Sequence, residues 1–199
     1  MVIEPNRADM DQHLRLLIEP WRGRLSAQIE FRALIKGQRA LCWFSGVEGD
    51  LLEDSIDKIV RLNEAETARN IYVTVNPVSL KATQSARDTD ILAAYFSFAD
   101  ADNGDAAARL RDALPRPSFF VHTGSVPENR VHAYWCFDGT EDLEAWTALQ
   151  KRIQATYGTD SVCNPSRVLR LAGTVSWPDQ GKRKRGYQPE VSRLVEGCK

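Results

Sequence analysis

Asp100 and Asp102 follow directly on an apolar run in the stretch FSFADADNG, residues 96–104. A buried strand rarely ends in two carboxylates, because an ionised carboxylate is costly to bury without a partner. In an extended strand, positions two apart share a face about 6.5 to 7 Å along it, so this pair would point together and repel. A divalent cation relieves that conflict. Two such ions about 3.5 to 4 Å apart suit carboxylates set this way, as in metal-assisted phosphoryl transfer. A local reading competes: Asp102-Asn103-Gly104 turns the chain, and Asp102 or Asn103 caps the following helix. D-x-D alone does not decide between the two.

Two further clusters carry chemistry. In RVHAYW, alternation sends Arg130, His132 and Tyr134 to one face of a strand, and a basic, aromatic stripe of that kind suits phosphate. His122, at the end of FFVHTG, has no such neighbours and reads as structural. In DSVCNPSRVLRLAGTVSW, Asp160 opens a turn and Arg167 and Arg170 fall on opposite faces of the strand that follows. One would line a site and the other pair with an acid. The planar guanidinium fork suits phosphate in either place.

Several classes are excluded by what is missing. There is no G-x-x-x-x-G-K-[ST], no G-x-S-x-G, no cysteine nucleophile constellation and no paired histidines. Cys42, Cys136, Cys163 and Cys198 are scattered, so neither a zinc site nor a disulfide framework is expected. No secretory signal or run of eighteen apolar residues is present, which gives the expectation of a cytoplasmic protein without a membrane partner. The net charge of −1 hides a division: from Asp160 onward eight Lys/Arg face four acids, leaving +4 there and −5 in the rest. Such asymmetry allows a phosphate-binding face. The segment GKRKRG (Lys182, Arg183, Lys184, Arg185) reads equally well as a solvated loop.

These residues need elements to position them. At 199 residues, 43% hydrophobic, the chain reads as one globular domain or two closely packed lobes. DQHLRLLIEPWRG reads as a helix broken at Pro20, QIEFRALI and RALCWFSG as strands with the second stopped by Gly46 and Gly49, and 50–67 as an amphipathic helix. NIYVTVNPV is a buried strand, and LKATQSARDTD a long polar loop. The second half then reads strand (ILAAYFSFA), helix (NGDAAARLRDAL), strand (PSFFVHTG), strand (RVHAYWCFDG), helix (TEDLEAWTALQKRIQATYG, capped by Thr140) and final strand (SRVLRLAGTVSW). That order is a split βαβ, ferredoxin-like arrangement with helices on one face of the sheet. The expected class is α+β.

FADAD, GSVPENRVHAYW and DSVCNPSRVLRLAGT stand in an order that resembles the archaeo-eukaryotic primase superfamily, above all its RepB-like replication primases and primase-polymerases, over roughly residues 70–178. The resemblance implies two αβ modules in a single catalytic domain, 1–78 and 79–199, the second a modified sheet like that of RNA-recognition (RRM) domains. It implies a metal-dependent, template-directed nucleotidyltransferase that makes or extends primers in the replication of a plasmid, phage or mobile element. Asp100, Asp102 and Asp160 would hold two Mg²⁺ or Mn²⁺ ions. His132, Arg130, Arg167, Arg170 and Ser125 would serve the nucleoside triphosphate, and Arg87 with Lys182 to Arg185 the single-stranded DNA template. Ala172 stands where the family usually has proline before Gly173. With no zinc insertion, helicase or helical primase module in the sequence, a bare catalytic domain or a fragment is expected, any such partner lying on another chain. A metal-dependent nuclease and an inactive replication-initiation module are the alternatives.

Overall fold

The computed structural model describes residues 3–47 and 51–196. Gly49, Asp50 and Cys198, named above, lie outside the described residues. In chain order the elements are α1 (Arg7–Ile18), β1 (Ala27–Leu34), β2 (Leu41–Ser45), α2 (Leu51–Asn63), β3 (Asn70–Thr74), β4 (Val78–Ser79), β5 (Ala94–Ala101), α3 (Gly104–Arg111), β6 (Phe119–Gly124), β7 (Arg130–Thr140), α4 (Leu143–Tyr157), β8 (Val168–Arg170), β9 (Val175–Ser176), α5 (Gln180–Lys184), β10 (Glu190–Val191) and β11 (Arg193–Glu196). The chain is α+β, with two main antiparallel sheets.

The first sheet runs β2-β1-β3-β8, with β4 also on β1, and the second β11-β6-β7-β5. Asn6 caps α1 through its side chain, and the helix ends before Pro20, which cannot continue it. Its apolar stripe, Met10, Leu14, Leu17 and Ile18, is fully buried in one core shared with Phe31, Val73 and Leu169 of the first sheet and Phe96, Phe98 and Tyr134 of the second. On the opposite side of β1, β3 and β8 from Phe31, Val73 and Leu169, the register lines up Arg32, Tyr72 and Arg170 in one row. α3 and the end of α4 cover the other face of the second sheet, against Ala99, Val131 and Ala133.

Three expectations are corrected. SRVLRLAGTVSW is not one strand: it breaks at Ala172-Gly173 into β8 and β9, and β8 pairs with β3 rather than beside β5. The break follows from Gly173, whose φ of +79° is left-handed and whose missing Cβ leaves room for the backbone of Asn6. Secondly, α4 is capped by Asp142, whose side chain accepts from Ala145 N, because β7 extends through Thr140. Thirdly, part of GKRKRG is the short helix α5, capped by Asp179 on Lys182 N.

With β8 gone, β5 is an edge strand whose outward backbone groups need partners. α4 supplies them: Trp146 Nε1 donates to Phe96 O at 2.9 Å, and the Gln150 amide accepts from Phe98 N at 3.2 Å and donates to Phe98 O at 3.0 Å. A fourth bond completes the edge, from Asp160 N to Asp100 O at 2.8 Å.

Candidate active site

That edge bond joins two of the sequence's acids, although they are sixty positions apart. Asp100 also stands directly opposite His132 in the β5/β7 register, and His132 Nε2 lies 3.3 Å from Asp100 Oδ1. Asp102 lies just past the end of β5 and is exposed; Asn103, not Asp102, caps α3 by accepting from Ala106 N. The local reading of FADADNG therefore holds at Asn103, while the strand carries Asp100 close to its end.

Electrostatics separate the carboxylates. Burial pushes the Asp100 carboxyl up, but His132 beside it, with Arg167 and Arg170 farther off, outweighs burial and leaves it below the ordinary carboxylate value. The Asp160 carboxyl is raised, by burial and then by the charges of Asp100 and Asp102, against the pull of Arg167 and Lys182. Asp160 thus feels the charge of both Asp100 and Asp102. Among the described residues no set of three or more His, Cys, Asp or Glu side chains is gathered closely enough to hold a metal ion as it stands. The chemistry of the donors, carboxylate oxygens, fits a hard divalent cation such as Mg²⁺ or Mn²⁺.

Beneath the pair lies a buried polar layer. His132 Nδ1, Tyr134 Oη and His13 Nε2 have no hydrogen-bond partner, and the His13 ring packs edge-on to Tyr134 at 5.5 Å. Burial, reinforced by His132, lowers the His13 pKa to about 3, so it is neutral. Its Nδ1 accepts from Ala172 N at 3.1 Å. Proline has no N–H to give, so this bond accounts for alanine at the position where the resembling family has proline.

The cations gather on a neighbouring cleft of about 620 Å³, lined among others by Arg130, Arg170, Lys182, Arg183, Tyr72 and Tyr187. Arg170 is held by Asn70 Oδ1 (2.9 Å) and Tyr72 Oη (3.1 Å), and its charge reaches Asp100. Arg167 precedes β8 in a turn, N bonded to Asn164 O, and acts on both Asp100 and Asp160. The two arginines therefore do not divide as strand alternation implies: both bear on Asp100, and Arg170 also lines the cleft. Lys184 and Arg185 are exposed on and beside α5, and Tyr187 stacks under Arg130 at 4.4 Å and Arg185 at 5.3 Å. Arg87 is exposed, does not line the cleft, and closes a short turn by donating its N–H to Asp90. Ser125 lies in a second cleft with His122 and Glu190, not with Asp100.

Sequence reasoning passed over Gln150, Glu190 and Tyr72. Gln150 had a signal, a polar residue on the stripe Trp146, Gln150, Ile153, Tyr157 of α4. Glu190 had none, since only the fold brings it to Ser125.

Among solved structures, the chain is similar to the AEP domain of the cyanophage S-2L primase-polymerase (PrimPol), at 28% identity, TM-score 0.64, over 98% of this chain and 91% of that one. It is also similar to the catalytic domain of primase RepB′ in complex with initiator DNA, at 14% identity and TM-score 0.58, over 94% of this chain and 85% of that one. A further primase RepB′ structure matches at 13% identity and TM-score 0.55, with 92% of this chain covering 56% of that one. No protein-family model and no curated protein matches. The fold is of the archaeo-eukaryotic primase type. Among the described residues no helix is long and apolar enough to cross a membrane.

Proposed function

We propose that this chain is a template-directed nucleotidyltransferase, a primase or primase-polymerase that builds or extends strands on single-stranded DNA for a plasmid, phage or other mobile element. The observation that carries the reading is the Asp160 N to Asp100 O bond, which draws two distant acids together at the edge of β5, within reach of the charges of Arg167 and Arg170. The likeness to a phage primase-polymerase domain supports it.

Asp100, Asp102 and Asp160 would hold Mg²⁺ or Mn²⁺. When bound, such a pair neutralises charge on the attacking 3′-hydroxyl oxygen and on the leaving pyrophosphate. The rest is positioning by the chain's own groups. His132 stands opposite Asp100 in the β5/β7 ladder with its Nε2 3.3 Å from Asp100 Oδ1, which sets its ring beside the carboxylate edge. Arg130 and Arg170 set guanidinium charge along the cleft, where a triphosphate would lie. Lys182 to Arg185, with Arg87, would attract the template through its phosphates rather than read its bases.

The test is incubation with single-stranded template, Mn²⁺ and labelled nucleotides, with and without primer. Lengthened product that vanishes on chelation is expected. Shortened primer would mean a nuclease, and DNA binding without product, indifferent to chelation, a non-catalytic initiation module.

A further inference from the structure

The loop after β6 forms a complete anion cradle, and the chain fills it with a carboxylate of its own. Ser125 donates to Glu190 Oε1 from N at 2.8 Å and from Oγ at 2.6 Å; Val126 N and Arg130 Nη2 each donate to Oε2 at 3.2 Å. Gly124 makes the cradle possible, because a Cβ there would collide with the Arg130 guanidinium. The rest of Arg130 is also engaged, Nη1 on Val126 O at 2.8 Å and its face on Tyr187. The serine donors, Val126 N and Arg130 all hold the Glu190 carboxyl below its ordinary value, against a burial that alone would raise it.

The segment that delivers Glu190 runs between the glycine turn at Gly186 and the buried, hydrogen-bonded Ser192. β10 has two residues, paired to β9 only at Glu190 with Ser176 and Val191 with Val175. It follows Gly186, in the left-handed region at φ +89°, and Tyr187, whose ring lies on Arg130. The same donors would serve a phosphate better, with three oxygens and up to one more negative charge than a carboxylate.

Ser125 and Arg130 are among the residues that the family resemblance assigns to the nucleoside triphosphate; we propose that Glu190, which occupies their donors, is a latch that must leave for one phosphate of the triphosphate to enter. The inference rests on the nucleotidyltransferase reading above and adds a regulation to it. An internal competitor lowers apparent affinity by the fraction of molecules that are latched. Arg130 lines the cation cleft as well as the cradle, so release of Glu190 and Tyr187 would free its guanidinium for a ligand in that cleft.

The experiment compares the whole chain with its Glu190→Gln variant, measuring the Kd of a nucleoside triphosphate by calorimetry with Mn²⁺, and of an unphosphorylated single-stranded oligonucleotide alongside. The variant is expected to bind the triphosphate about 5- to 20-fold more tightly, with oligonucleotide affinity unchanged, and Ser125→Ala added to it should remove most of the gain. Equal or weaker triphosphate binding by the variant, with clear binding by the wild type, overturns the latch alone. No triphosphate binding by either overturns the nucleotidyltransferase reading with it. A gain confined to the oligonucleotide assigns the cradle to strand phosphates and overturns the nucleotide site. Should the variant fail to fold, hydrogen exchange on the wild type decides: residues 187–193 are expected to exchange faster on adding triphosphate, and unchanged or slower exchange contradicts the latch.

Discussion

The acids and the cations of this protein are held in opposite ways. Asp100 stands at the end of a buried strand, its backbone bonded to β7 on one side and to Asp160 on the other, with Trp146 and Gln150 filling the rest of that edge. Lys182 to Arg185 ride on and just past a five-residue helix, Lys182 and Arg185 lying over the ring of Tyr187. The difference matches the tasks proposed for them. Groups that share a cation must be fixed to within fractions of an ångström, which calls for a ladder. A polyanion is drawn by the summed potential, which tolerates motion.

The largest effect should come from breaking the rigid side. Asp100→Asn is isosteric and keeps the backbone edge, so it is expected to reduce primer extension about 10³-fold or more while the melting temperature stays within a few degrees. Extension at near wild-type rate would remove Asp100 from the chemistry.

Next is the edge itself. Gln150→Leu leaves Phe98 N, Phe98 O and Val162 O without their side-chain partner. It should cost about 2 to 4 kcal/mol in urea unfolding, because buried backbone groups lose their hydrogen bonds. An unchanged midpoint would show that water replaces the amide there.

The buried layer gives a pH dependence with a definite sign. His13 has an ordinary value of 6.5 and about 3 when folded, so between those values the unfolded chain binds one more proton. Stability is full above pH 6.5 and falls as pH drops toward 3, by at most about 1.4 kcal/mol per unit. Asp100 and Glu190, both lowered, add to the loss only below their ordinary values of 3.8 and 4.5. Unfolding curves at pH 7, 6 and 5 check this, and His13→Gln should flatten the slope in that window.

The cation side should yield a smaller, salt-dependent change. Neutralising Lys182, Arg183, Lys184 and Arg185 together is expected to weaken single-stranded DNA binding about tenfold at low salt and to reduce the salt slope. Affinity insensitive to salt would make α5 mere surface.

The same contrast governs what the sequence revealed. Strand alternation placed Asp100 and His132 correctly, because a two-residue period fixes the face of a buried strand and the hairpin β6-β7 is local. The destination of β8 was not readable, since nothing in VLR distinguishes pairing with β3 from pairing with β5. Thr140 lost the cap to Asp142 because β7 ran on to residue 140, a tertiary outcome. The Glu190 contact spans sixty-five positions and depends on the turn at Gly173 and on the course of α5, so no local pattern could announce it.

The convergence of Asp100, Asp102 and Asp160 is tested most directly by titrating Mn²⁺ into the whole chain and into Asp160→Asn, followed by electron paramagnetic resonance and thermal melting. The wild type should bind Mn²⁺, and the variant should bind it at least about tenfold more weakly while melting about 1 to 2 °C higher without metal, since a carboxylate crowded by Asp100 and Asp102 has been neutralised. Equal Mn²⁺ affinity in the two proteins would contradict a shared cation at these three acids.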